Sequence, residues 1–158
     1  MDRLIRPATS EDCGIIARLN EYGHEPHLRA RPDVFKPTLE AELAAWFRAL
    51  LSENTTRAFI AELGSEPIGY VVAILRTTEE NPLCLARRWL ELNEIAVATA
   101  HRRQGVARAL TEQVLALARA EGLASVELGS WSFNHAAHAA FAELGFVPQR
   151  VRFERRSD

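Results

Sequence analysis

The sequence predicts a single α/β domain (α+β mixed), spanning residues 1–158, in which a mixed sheet carries helices on both faces. Three observations predict it. Strand and helix signals alternate in the order β-α-α-β-β-β-α-β-α-β. Residues 68–75 are apolar at both alternating positions apart from Gly69, as a central strand covered on both sides requires. Residues 85–97 change hydrophobic phase midway, which marks a strand with a local irregularity.

Leu4-Ile5-Arg6 reads as a short first strand. Thr9 followed by Asp12 has capping-box spacing, so a helix is expected near residue 10, burying Cys13, Ile16 and Leu19. Residues 21–37 hold three prolines, two histidines and Gly23 without a period, and read as a helix end followed by a loop. A long loop in a compact domain is commonly functional. From Thr38 the pattern is helical again, with Leu39, Leu43, Trp46, Phe47, Leu50 and Leu51 on the apolar side. Residues 57–63 and 68–75, joined by the turn chemistry of Gly64-Ser65-Glu66-Pro67, form an antiparallel hairpin.

In the next strand Leu90 and Leu92 fall on even positions and Ile95 and Val97 on odd ones. One extra residue near Asn93-Glu94, a β-bulge, restores the alternation; a strand buried on both faces is the alternative. A helix opens at Gly105, lines Val106, Leu110, Val114 and Leu117 along one face, and ends at Gly122. Residues 125–130 form a strand. Asn134 caps a helix carrying Ala137, Ala140, Phe141 and Leu144, closed by Gly145. Residues 146–153 read as a last strand, with Pro148 marking an irregular edge.

Composition narrows the function classes. Lys and Arg total 19 against 21 Asp and Glu, so the balance offers no basic surface for nucleic acid. No apolar run approaches the roughly 20 residues that cross a bilayer. The start Met1-Asp2-Arg3-Leu4-Ile5-Arg6-Pro7 lacks the apolar core of a signal peptide. Cys13 and Cys84 form no metal-type pair. The expectation is a cytoplasmic protein with reduced thiols, no metal, and no nucleic-acid or membrane partner, with a homodimer left open.

The segment from Ile95 to Leu110 carries the chemistry. A strand ends, a short loop follows, and a helix begins at Gly105. A helix N-terminus presents free N–H groups and the positive end of the dipole, and a glycine lets a phosphate approach the backbone. Arg102, Arg103 and Arg108 add positive charge. The glycine spacing is neither that of a Walker loop nor that of a dinucleotide-binding fingerprint. A simple turn with solvated arginines is the structural alternative.

Arg102-Arg103-Gln104-Gly105-Val106-Ala107 resembles the Gln/Arg-x-x-Gly-x-Gly/Ala phosphate motif of the GNAT N-acetyltransferase superfamily. Leu92-Asn93-Glu94-Ile95-Ala96-Val97 is similar to that family's fourth strand. Asn134-x-x-Ala137 and Phe141-x-x-Leu144-Gly145-Phe146 are similar to its last helix and turn. The resemblance covers roughly residues 90–147. It implies a mostly antiparallel central sheet with a splayed, bulged fourth strand, and acetyl-CoA as cosubstrate. It further implies that Ile95, Ala96 and Val97 meet the pantetheine arm. Arg102, Arg103, Gln104, Gly105, Val106, Ala107 and Arg108 would then hold the pyrophosphate, and Asn134, Ala137 and Phe141 would flank the cofactor.

The reaction implied is direct attack of a primary amine on the thioester carbonyl. Glu94 at the bulge is the candidate base, with a purely electrostatic or structural role as its alternative. Phe141 stands where the family commonly has a tyrosine, and a phenyl ring has no proton to give. Ser132, His135 and His138 are the nearby alternatives for that acid. His24, Glu25, His27, Phe35 and Trp131 are the candidates for an acceptor pocket. The acceptor expected is a small-molecule amine. A protein N-terminus or lysine is the rival acceptor, and a non-catalytic acyl-CoA sensor is the rival class.

Overall fold

The computed structural model describes residues 3–157. Met1 and Asp2, part of the start considered above, and Asp158 lie outside the described residues. The chain runs through β1 (Arg3–Pro7), α1 (Cys13–Ala30), α2 (Glu40–Ser52), β2 (Thr56–Leu63), β3 (Glu66–Thr78), β4 (Arg87–Val97), α3 (Val106–Ala120), β5 (Val126–Leu128) and α4 (His135–Glu143). The strands form one sheet in the order β1-β2-β3-β4-β5. The first three pairings are antiparallel and the β4–β5 pairing is parallel.

Two apolar layers clasp the sheet. On one face Val106, Leu110, Val114 and Ala118 of α3 pack on Phe59, Ala61, Val71, Ala73, Leu90, Leu92 and Val97. On the other, Cys13, Ile16 and Leu19 of α1 and Phe47 of α2 pack on Ala58, Ile60, Tyr70, Val72, Ile74 and Ala96. Period-two alternation on β2 and β3 supplies both faces. The apolar ridge of α2 is only partly used. Phe47 is buried, whereas Leu39 and Trp46 stay more than half exposed.

The expected bulge is present. Val72 pairs with Glu94 and Ala73 with Leu92, so Asn93 is the unpaired extra residue. Leu90 and Leu92 therefore share a face with Val97, while Ala96 turns to the other. Strand β3 carries a second irregularity, with Ala61 opposite Gly69 and Glu62 opposite Pro67, which leaves Ile68 as its extra residue.

Three expectations need correction. The segment 21–37 is not mainly loop, because α1 continues to Ala30 with Pro26 inside it. The strand expected over residues 125–130 is shortened to Val126–Leu128. Residues 146–153 form no strand. A strand exists only through a hydrogen-bonded neighbour, and Pro148 lacks an N–H to offer one.

The capping box at Thr9 forms, with the Asp12 carboxylate accepting from the Thr9 backbone at 2.7 Å. Arg6 donates to both oxygens of the same carboxylate at 2.8 and 2.9 Å, and also reaches Glu62 at 2.9 Å. Hydrogen bonding from the Arg6 guanidinium holds the Asp12 carboxyl below its ordinary range, against the opposing effect of burial. That stabilisation is complete above the unfolded value of about 3.9 and is lost as pH falls through the lower folded value. Asp12→Asn is expected to lower stability by about 1.5–3 kcal/mol at neutral pH. It should also flatten the acid limb of the stability curve, as urea unfolding across pH would measure.

Candidate active site

The site is built around the open end of β4. Strand β5 pairs only with Leu90, Glu91 and Leu92, so beyond the bulge β4 has no neighbour on that side among the described residues. Ala98 donates its N–H to Ile68 on β3 at 2.9 Å. The Val97 carbonyl, antiparallel to that N–H across the peptide, therefore points away from β3 into the gap, and the N–H of Val97 points with it. Ile95, two residues earlier, presents its backbone the same way. Regular alternation from Leu92 would have turned Glu94 and Ala96 toward the gap. The bulge at Asn93 exchanges the two sets.

At the mouth of the gap the loop closes on α3. Arg103 has φ 60° and Gly105 φ 77°, and Gly105 is the residue before the first helical turn. Val106, Ala107 and Arg108 begin that turn, so their N–H groups have no carbonyl one turn earlier to meet. A side chain at Gly105 would be strained and would stand beside these donors. This combination suits a pyrophosphate, and the outward-facing backbone of Ile95 and N–H of Val97 suit an extended amide-bearing arm beyond it.

Not every side chain of the loop is free. Arg102 donates through Nε to the Val97 carbonyl at 3.2 Å and through NH2 to the Tyr22 carbonyl at 2.7 Å. Its second partner follows from Pro26. Proline lacks the N–H that would bond the carbonyl four residues back, so the Tyr22 carbonyl is left without its helical partner. Arg102 fills that vacancy from outside the helix. Gln104 donates to the Ala100 carbonyl at 3.0 Å, and its own carbonyl accepts from Arg3 at 2.6 Å. Arg103 is exposed. Arg108 reaches the Glu143 carbonyl at the end of α4, at 3.4 Å. Asn134 accepts from the Ala137 N–H at 3.3 Å, and so caps α4. Ala137 and Phe141 are half-buried on that helix, with the Phe141 ring 5.9 Å from that of Phe146.

Glu94 lies on the α1 side of the sheet. Helix α1 comes close there because residue 23 is glycine. A methyl group on it would stand 3.3 Å from the Ala96 methyl and 3.5 Å from the Ile95 carbonyl oxygen. One turn earlier Asn20 donates to the Tyr70 hydroxyl at 2.7 Å, with both side chains buried. Burial raises the Glu94 carboxyl above its ordinary range, and the nearby His24 acts in the opposite sense. Burial also pushes the Tyr70 hydroxyl up, and the Glu94 charge adds to that.

The acceptor-pocket candidates come together as an aromatic cluster. Phe35 packs against His24 at 5.8 Å, His27 at 5.2 Å and Trp131 at 5.5 Å between ring centroids. Phe133, which the sequence reading missed, closes the group at 5.6 Å from His27 and 6.0 Å from Trp131. Arg31 lies over Trp131 at 5.2 Å and is held by Asp33 and Glu154. Glu25 stays outside, exposed and paired with Arg29. His135 and His138 pack on each other at 6.2 Å, both exposed. Among the described residues no group of His, Cys, Asp and Glu is arranged to hold a metal, and no helix is long and apolar enough to cross a membrane. Asn20, Tyr70 and Phe133 were not legible as site residues, because an amide, a core tyrosine and a lone phenylalanine carry no motif.

Comparison with known proteins shows the family. A family model described as the acetyltransferase (GNAT) family matches residues 19–146. The chain is 32% identical over 108 residues to N-acetyltransferase 8 of Mus musculus, covering 68% of this chain and 46% of that protein. It is 31% identical over 109 residues to N-acetyltransferase 8 of Homo sapiens, covering 69% of this chain and 46% of that protein. The chain thus spans about half the length of the curated relatives it matches. Among solved structures, a tetramutant of the BH1408 protein from Bacillus halodurans superposes with a TM-score of 0.92 at 24% identity, covering 98% of this chain and 99% of that one. The aminoglycoside N-acetyltransferase AAC(6')-Iy in complex with CoA superposes with a TM-score of 0.78 at 21% identity, covering 98% and 95%.

The electrostatics of Glu94 give a direct expectation. Its carboxyl should titrate, by carbon-13 NMR, above the roughly 4.3 of a solvated glutamate. Removing the neighbouring imidazole with His24→Ala should move that midpoint further up. An unchanged midpoint would show that the two groups do not sense each other.

Proposed function

The chain belongs to the GNAT family of acetyltransferases, whose members use acetyl-CoA, and from there we propose that it transfers the acetyl group of acetyl-CoA to a primary amine of a small molecule by direct attack. The observation that carries the reading is the junction of a β4 edge that no strand pairs beyond the bulge with a helix N-terminus opening at Gly105. The backbone of residues 103–108 would hold the pyrophosphate, and Ile95 and Val97 would pair with the pantetheine arm. Ala96, between them, faces α1 and forms the floor on which that helix sits.

The individual side chains divide accordingly. Arg103 and Arg108 supply charge at the phosphates, while Arg102 and Gln104 shape the loop from within. Asn134 caps α4, and Ala137 leaves room beside it. Phe141 is a wall of the channel and offers no proton to the departing thiolate, whose low basicity makes it a workable leaving group without one. His24, His27, Phe35 and Trp131 form the acceptor wall. Glu94 takes the ammonium proton, since a carboxyl raised by burial is a better base than a solvated one. The AAC(6')-Iy neighbour, an aminoglycoside N-acetyltransferase by its description, favours a small-molecule acceptor over a protein.

Thioester consumption with a panel of amines tests the reading. Turnover with at least one small amine is expected, and none with any amine would support a sensor instead. Gly105→Glu, which adds strain and a negative charge at the phosphates, should weaken acetyl-CoA binding by at least about tenfold while circular dichroism stays native. Glu94→Gln should lower kcat by roughly 100-fold or more without moving the acetyl-CoA dissociation constant. In the wild type kcat should fall as pH drops through the raised Glu94 value, because only the carboxylate accepts a proton, and this limb should vanish in Glu94→Gln.

A further inference from the structure

His24 enters the site with its protonation pattern already fixed. Its Nε2 lies 2.7 Å from the Lys36 carbonyl oxygen. A carbonyl oxygen can only accept, so Nε2 must carry the hydrogen. In the neutral ring the lone pair is therefore on Nδ1. The carbonyl fixes not only the tautomer but also the ring orientation, as does the edge-on contact with Phe35 at 5.8 Å.

Position gives that lone pair a use. Gly23 seats α1 directly on Ile95 and Ala96, and Asn20 anchors the same face of the helix to Tyr70 one turn away. His24 is next to the seat and one turn from the anchor, so it overhangs β4 beside the bulge that presents Glu94. Glu94 and His24 are both half-buried, and the imidazole is near enough to act on the carboxyl's charge. The other titratable and charged groups around it include Tyr70 on β3, Glu21, Tyr22, Glu25 and His27 on α1, Lys36 on the following loop, and Arg102, which bridges the Tyr22 and Val97 carbonyls. His27 differs from His24: its Nδ1 is 2.7 Å from the Gly23 carbonyl, so its lone pair is on Nε2, among the rings of the aromatic cluster.

We propose that His24 is the proton exit of this site, its Nδ1 taking from Glu94 the proton that the acceptor ammonium gives up. This rests on the acetyl-transfer reading above. The ammonium N–H bond breaks and its electron pair stays on nitrogen for attack, while the proton forms an O–H bond on Glu94. That proton then passes, directly or through one water, to the lone pair of His24 Nδ1, which restores the carboxylate. The imidazolium loses it to solvent, so both groups return to their starting state with each turnover. The route resets the carboxylate without the acceptor leaving.

His24→Gln separates this role from a structural one. The glutamine amide N–H occupies the place of Nε2–H and keeps the bond to Lys36, but no basic atom replaces Nδ1. The expected result is a kcat at least about tenfold lower near neutral pH, restored in part by imidazole added to the buffer. The melting temperature and the acetyl-CoA dissociation constant should stay at wild-type values. A His24→Gln enzyme with the wild-type kcat and pH profile overturns the proposal and leaves the acetyl-transfer reading standing. So does a loss of kcat that comes with a lowered melting temperature and no imidazole rescue. Nitrogen-15 NMR supplies a test that needs no turnover: the free protein should show His24 as the Nε2–H tautomer, and an Nδ1–H tautomer overturns the proposal. A wild-type chain that consumes no thioester with any amine fails the broader reading, and the relay with it.

Discussion

One extra residue in β4 decides where everything else in this molecule can be. Without Asn93 the strand would alternate regularly, and Glu94 and Ala96 would turn their backbone to the outer edge. With it, Ile95 and Val97 face that edge, Val97 joins the α3 layer, and Ala96 joins the α1 layer. The same residue marks where β5 stops following β4. A bulge increases local twist and bends the strand that carries it, and a short parallel partner cannot stay in register with a strand that bends away. The opening of the sheet and the placement of the Glu94 carboxylate are thus two results of one insertion.

The second constraint is closeness. Helix α1 needs to lie near enough to β4 for residues on its inner face to address the bulge, and Gly23 has no side-chain atom to hold them apart. The inner face then places Asn20, His24 and His27 in sequence, from the buried core to the aromatic rim. Polarity along this line runs from an amide and a phenol, fully buried and hydrogen-bonded to each other, to imidazoles with one nitrogen held by a backbone carbonyl. Each of these four polar side chains has a partner, as burial demands.

Signals that are local were legible in the sequence. The capping box at Thr9, the glycine before α3 and the Asn134 cap involve residues a few positions apart, and all appear where the sequence placed them. The bulge was legible too, because the phase change from Leu90 and Leu92 to Ile95 and Val97 is written in neighbouring residues. What was missed depends on distant partners. Proline at 26 argued for a loop, since the helix it interrupts loses a hydrogen bond, and nothing near it in sequence shows that Arg102 satisfies the orphaned carbonyl. Val147, Val151 and Phe153 alternate as a strand would, yet they are well exposed and the segment is not one. Alternation reports which side chains share a face, not whether another strand is there to bond.

The bond from Arg102 to the Tyr22 carbonyl ties two positions that share no motif. A proline at 26 leaves a carbonyl that Arg102 reaches from outside the helix, and that bond holds the arginine together with its bond to the Val97 carbonyl. Losing the arginine alone leaves that carbonyl without its donor, whereas losing the proline lets the helix supply one. In the descent of this chain the two positions should therefore behave as one heritable unit: lineages that lose the proline are free to lose the arginine, and an arginine lost first makes the proline a burden.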